Sequence, residues 1–190
     1  MAQVQEMLKP IQTDWLSPDE AAALGGNPQA LISRRAIFYG GDFKIGSYSR
    51  LDAGCIVNGD VEIGELVHIA PYCILYGKKG ISIGHFSVIG PFSVLHTEVD
   101  NFDGTVLCGA LWPEERRKGS SFGRIRLENF SSLGTRTTIF AGVTLAEGAA
   151  VGAHSLVRED CLEWSIYAGT PARRIKARSR DISGLVYLDL

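Results

Sequence analysis

Residues 45–75 read IGSYSRLDAGCIVNGDVEIGELVHIAPYCIL. Ile45, Leu51, Val57, Ile63, Ile69 and Leu75 stand six residues apart, and all six are aliphatic. Two later series keep the step: Ile83, Ile89 and Leu95, then Leu127, Leu133, Ile139, Leu145, Val151 and Val157. Two places ahead of each aliphatic the residue is mostly small or β-branched, as at Ser49, Cys55, Cys73, Ser93, Ser131 and Thr137, and glycine follows it at 46, 64, 84, 90, 134 and 152. An amphipathic helix repeats its apolar face every three or four residues, so a step of six excludes it, while side chains along a strand alternate faces. The period predicts short strands joined by tight corners around one narrow apolar core, with glycine where the backbone needs freedom.

The step is broken twice. Between Leu75 and Ile83 it is eight, and YGKKG is expected to form a short corner protrusion. Between Leu95 and Leu127 it is thirty-two, which leaves a segment rich in Gly, Asp, Glu, Arg and Lys. Loops beyond about 12–15 residues are uncommon in compact domains and are often functional. Ahead of the repeats, LSPDEAAALGG offers Ser17 as N-cap, Pro18 at the first helical position, Glu20 at the capping-box position and Gly25 as a stop, so a short helix is expected there. Past Pro171, TPARRIKARSRD reads as a basic helix.

With 190 residues, 45% of them apolar and 21% charged, the composition is that of an ordinary soluble globular domain. A net charge of −2 gives no global attraction for nucleic acid or anionic membranes, so any anion site is local. No apolar run is long enough to span a bilayer, and MAQVQEMLKPIQTDW lacks the basic-then-apolar order of a secretory leader, so a cytoplasmic protein is expected. Four cysteines form neither a disulfide framework nor the close pairs of a zinc site, and reduced thiols are expected.

Residues 35–178 resemble the hexapeptide-repeat acyltransferases. The resemblance implies an all-β chain, a left-handed parallel β-helix in which three hexapeptides make one triangular coil, so that Cys55 and Cys73 stack on adjacent coils. The organisation expected is an N-terminal helical segment over 1–34, the β-helix over 35–165 with an inserted protruding loop at 97–124, and a C-terminal segment with a helix over 166–190. The stretch VGAHSLVREDCLEWSIYAGTPARRIKAR resembles the end of the family's β-helix, where a "G-x-P-A" motif and a following basic residue contact coenzyme A; the match is Gly169-Thr170-Pro171-Ala172-Arg173. By this resemblance acetyl-CoA is the acyl donor. Thr135, Ala153, Gly169 and Pro171 then lie along the pantetheine arm, and Arg158, Arg173 and Lys176 face the nucleotide phosphates. Arginine suits that task because it binds phosphates with charge-assisted, often bidentate hydrogen bonds. Two departures concern the donor contacts: Ser132 stands where galactoside and maltose acetyltransferases carry tryptophan, and Glu159 where they carry lysine. Relatives assemble as trimers with donor and acceptor meeting between subunits, which implies a homotrimer with three sites.

The long interruption begins in SVLHTEVDNFDG, residues 93–104. Acyl transfer from a thioester needs a group that takes a proton from the acceptor and donors that stabilise the oxyanion. His96 with Glu98 and Asp100 is the best cluster of this kind. Two versions stay open: His96 as general base oriented by an acidic neighbour, or Asp100 or Asp103 positioning an amine. The histidine of galactoside acetyltransferases falls at the place of Asp100. The stretches Asp100–Gly104 and Gly109–Pro113 resemble a "D-D-F-S-G … G-P-x-x-P" pattern of sugar-modifying relatives, which implies acceptor contacts for Asp103 and Trp112. His154 lies beside the donor track, and His68 and His85 on outer faces.

The function expected is acetyl transfer from acetyl-CoA to a hydroxyl or amine of a sugar or nucleotide-linked sugar in surface polysaccharide synthesis. Two alternatives remain, a non-catalytic β-helix scaffold and a hydratase like the γ-class carbonic anhydrases. The histidines lack the spacing of that class's zinc ligands, so no metal is expected.

Overall fold

Each aliphatic of the six-residue step points into one shared interior: Leu51, Ile69, Leu75, Ile89, Leu95, Ile139 and Leu145 are completely buried. The computed structural model describes residues 14–109 and 111–182. The backbone winds as a left-handed parallel β-helix with three walls. The first wall stacks Leu31–Ile32, Arg50–Leu51, His68–Ile69, Val88–Ile89, Ser132–Leu133, Ala150–Val151 and Ser165–Gly169. The second stacks Ile37–Tyr39, Val94–His96, Thr138–Ile139 and Leu156–Val157, and the third Phe43–Ile45, Ile125–Leu127 and Thr144–Leu145. The long strands Ile56–Ile63 and Ile74–Ile83 run through the corner that joins the second wall to the third.

One coil takes eighteen residues, as in the contact of Asp42 with Asp60. Cys55 and Cys73 are accordingly buried on successive coils, both as free thiols. Burying an Ile or Leu side chain contributes about 1.5–3 kcal/mol, so the repeated aliphatic is the main source of stability. The small residues admit the corner backbone and satisfy it: Ser49 Oγ donates to the Gly64 carbonyl (2.7 Å) and accepts from the Val67 amide (2.9 Å).

The corners use left-handed backbone even at bulky residues, with φ of 61° at Tyr72, 60° at Phe92, 58° at Phe86 and 60° at Phe130. Their rings stack from coil to coil, Tyr72 on Phe92 at 5.2 Å and Phe86 on Phe130 at 5.1 Å. Such pairs are worth about 0.5–1.5 kcal/mol, which offsets much of the backbone strain. Gly148 (φ 66°) has to be glycine for a further reason, since a Cβ there would lie 2.4 Å from the Trp164 ring, whereas at Gly142 (φ 82°) nothing lies within 4 Å. Gly148→Ala is therefore expected to lower stability by about 1–3 kcal/mol, through overpacking, and by more than Gly142→Ala. Urea midpoints of the two variants check this; equal midpoints would contradict it.

Three expectations about elements are corrected. The ladder begins at Leu31, which already pairs with Arg50 of the next coil, ahead of the expected edge at residue 35. YGKKG makes no corner protrusion: it lies inside the strand Ile74–Ile83, whose two extra residues are taken up as an irregularity opposite Asp60, where the partner strand shifts register between Gly59 and Val61. The helix expected after Pro171 is a strand, Ala172–Ala177, folded back antiparallel on Ser165–Gly169. A wall that ends leaves a row of unpaired backbone groups, and pairing them outweighs the helix propensity of ARRIKA, high as it is for Ala, Arg and Lys. Residues 183–190 of the C-terminal segment lie outside the described residues. At the other end the short helix is as expected, Pro18–Ala23, with Ser17 and Glu20 bonded as a capping box.

Candidate active site

The ladder breaks at the corner between the second and third walls. Just before that corner, the outward residues of successive coils form a column: Asn58 pairs with Tyr76, Tyr76 with His96, and the register continues through Phe140 to Arg158. His96 packs edge-on against the Tyr76 ring at 5.1 Å, and the Arg158 guanidinium lies 5.4 Å from the Phe140 ring centre.

The loop departs at Thr97. This buried hydroxyl donates to the Tyr76 carbonyl (2.8 Å) and accepts from the Lys79 amide (3.1 Å), so the two-residue expansion of YGKKG is tied to the start of the loop. Glu98–Val99 then pairs antiparallel with Ser121–Phe122, and the chain re-enters the ladder through the Gly123 amide, bonded to the Thr97 carbonyl at 3.0 Å. Lys79 reaches out to bond Glu114 in the short turn Glu114–Arg116.

Arg117 holds this ribbon together. Its side chain is 3% exposed, and its guanidinium lies 5.0 Å from the Phe122 ring centre. It donates from Nε to Asp100 Oδ1 (2.9 Å) and from Nη1 to Glu98 Oε2 (3.2 Å), and its Nη2 lies 2.8 Å from Asp100 Oδ1 as an ion pair. The Gly109 amide donates to Asp100 Oδ2 at 2.9 Å. Burial pushes the Asp100 carboxyl up, but the Arg117 and Gly109 hydrogen bonds, with the charges of Arg117 and His96, hold it below the ordinary aspartate value.

An open cleft of about 300 Å³ lies under the loop, lined by Asn58, Tyr76, Lys78, His96, Thr97 and Glu98. His96 and Glu98 of the sequence cluster meet here. Asp100 stands one step back, engaged with Arg117, and neither carboxylate bonds the His96 ring. Asp103 is exposed and accepts from Thr105 in its own turn (2.8 and 2.5 Å), and Trp112 is 39% exposed; neither lines the cleft. Arg117, Tyr76, Lys78 and Asn58 went unread in the sequence. Counting one residue past each aliphatic would have found Asn58 and Tyr76 beneath His96; Arg117 had no such signal, because nothing periodic marks its loop.

The expected donor residues lie mainly along the far edge of the same wall. The His154 amide bonds the Thr135 carbonyl at 2.8 Å, a Cβ on Gly134 would meet Ala153, and the Gly169 amide bonds Ser155 Oγ at 3.0 Å. Thr135, Ala153 and Gly169 thus follow one corner from coil to coil, with Pro171 just past Gly169 in the turn. Arg173 and Lys176 are exposed on the terminal strand, and Arg158 lies on the opposite edge, in the His96 column. Among the described residues no group of three or more His, Cys, Asp or Glu is arranged to hold a metal ion, and no helix is long and apolar enough to cross a membrane.

Fold and break together define a hexapeptide-repeat acyltransferase, and comparison with known proteins places the chain in that family of acyl-CoA-dependent enzymes. It is 30% identical over 155 residues to the dTDP-4-amino-4,6-dideoxy-D-glucose acyltransferase of Escherichia coli, a match covering 80% of each chain. The crystal structure of AntD, an N-acyltransferase from Bacillus cereus, in complex with dTDP and 3-hydroxybutyryl-CoA, superposes with a TM-score of 0.86 at 36% identity, over 91% of this chain and 94% of that one. The bifunctional protein GlmU of Thermotoga petrophila is 28% identical over 135 residues, but these span only 28% of its length. No family model matches the chain.

Proposed function

We propose that this protein transfers an acyl group, acetyl in the simplest case, from coenzyme A to the amine of a nucleotide-linked aminosugar. The likeness that carries the reading is to an AntD variant whose structure holds both dTDP-4-amino-4,6-dideoxyglucose and coenzyme A, at 36% identity and a TM-score of 0.86. In this reading the amine sits in the His96 cleft. His96 takes a proton from the acceptor nitrogen as that nitrogen attacks the thioester carbonyl. The carbon–sulfur bond breaks, and the CoA thiolate leaves and recovers a proton. Asp100, kept ionised by Arg117, holds the ribbon that frames the cleft from one step back, while Asp103 and Trp112 on the outer loop contact the rest of the acceptor.

The donor lies along Thr135, Ala153, Gly169 and Pro171, with Arg158, Arg173 and Lys176 on its phosphates. The corner track and the His96 column occupy opposite edges of one wall, which supports a homotrimer in which a neighbouring subunit brings the thioester to His96. Nucleotide sugars and coenzyme A are cytoplasmic metabolites, so the reaction belongs in the cytoplasm, and modified aminosugars of this kind feed surface polysaccharide synthesis.

Calorimetric titration with acetyl-CoA tests the donor half. Wild-type protein is expected to bind in the micromolar range and Arg173→Ala about tenfold more weakly, the value of one charge-assisted hydrogen bond to a phosphate. Absence of binding by the wild type would leave a β-helix without its donor and favour a scaffold.

A further inference from the structure

The two carboxylates around Arg117 spend their hydrogen-bonding capacity unequally. Asp100 commits both oxygens to the protein, Oδ1 to the guanidinium and Oδ2 to the Gly109 amide. Glu98 commits only Oε2, to Arg117 Nη1. Its other oxygen, Oε1, is sealed from solvent and has no hydrogen-bond partner among the described residues. Lys78 Nζ stands 3.3 Å from it, paired by charge but outside hydrogen-bond geometry. The Glu98 side chain is 8% exposed and belongs to the wall of the His96 cleft.

A buried, ionised oxygen lacking a donor is costly, and native proteins rarely keep one that nothing comes to satisfy. A carboxylate only accepts, so the missing partner is a donor. The ammonium paired with the oxygen is movable: the Lys78 side chain is 60% exposed and makes no hydrogen bond to it. Beneath lies the cleft that carries His96.

We infer that Glu98 is a further acceptor-binding residue, whose Oε1 takes a hydroxyl or ammonium hydrogen of the sugar once Lys78 swings aside. The inference rests on the aminosugar reading above and adds a contact to it. Glu98 thereby recognises the sugar, not the nucleotide, and sets how much tighter the whole acceptor binds than the nucleotide alone.

Titration with dTDP and with dTDP-4-amino-4,6-dideoxyglucose isolates this contribution as the ratio of the two dissociation constants. Glu98→Gln, which can still accept from Arg117, is expected to weaken the aminosugar nucleotide about tenfold and to leave dTDP unchanged. A folded Glu98→Gln protein with the wild-type ratio would overturn the assignment. Should that variant melt early, Lys78→Met decides. Removing the competing ammonium raises the ratio if Oε1 receives the sugar, and an unchanged ratio overturns the proposal. A wild-type protein that binds neither nucleotide would instead overturn the aminosugar reading itself, and with it the ligand assigned to Glu98.

Discussion

Arg117→Ala is expected to cost about 3–5 kcal/mol of folding stability and to reduce turnover at least a hundredfold. Removing one member of a buried charge cluster leaves the others uncompensated, a loss of this size in comparable cases. Here Glu98 and Asp100 would be left without the guanidinium to which both are paired. The activity loss follows because the same ribbon frames the His96 cleft. Arg117→Lys keeps the charge but not the planar fork, so it should recover only part of either quantity.

The pH dependence distinguishes this arrangement from a generic stabilising contact. In the folded state the Asp100 carboxyl lies below its ordinary value, despite the upward pull of burial, because of Arg117 and Gly109. Its contribution is therefore fully present above the unfolded value near pH 4, and is lost as pH falls below that through the lowered folded value. In Arg117→Ala the carboxyl loses that support, so this contribution shrinks and stability falls less steeply as pH drops below about 4. Urea unfolding from pH 3 to 7 measures this. Curves for wild type and variant that run parallel across the range would count against the role given to Asp100.

His96→Ala is expected to lower turnover about 10²- to 10⁴-fold at neutral pH, the usual range for a general base. Acyl-CoA affinity should be unchanged, and stability nearly so, because the ring is only half-buried and packs edge-on against Tyr76 on the outside of the wall. The deficit should shrink as pH rises and solution supplies more of the acceptor as free amine. A loss below tenfold with no pH dependence would instead favour the second version, in which Asp100 positions an amine that needs no base.

The ladder was legible because the interior of a triangular coil is too narrow for exceptions: Leu51, Leu75, Ile89 and Ile139 have no accessible surface, so the sequence must repeat there. Outside that interior the constraint relaxes. ARRIKA has no fully buried position, and its strand is dictated by the unpaired edge of Ser165–Gly169, which no local propensity reports. YGKKG carries an ordinary turn composition, yet it stays in a strand because the neighbouring coil, Ile56–Ile63, supplies a continuous partner on both sides of the irregularity. In the break, His96 was visible as a histidine one place past a ladder aliphatic. The sequence did not reveal that Asp100 is occupied by an arginine seventeen residues on, and Glu98 is singled out only by which of its oxygens remains without a hydrogen bond.

The most direct test of the central claim is to mix the protein with acetyl-CoA and dTDP-4-amino-4,6-dideoxyglucose and to follow thiol release together with the mass of the sugar nucleotide. One thiol is expected for each acetyl group gained, with the acetyl on the amine and no turnover of the analogue carrying a hydroxyl in its place. Thiol release without a modified sugar, or equal turnover of the hydroxyl analogue, would contradict it.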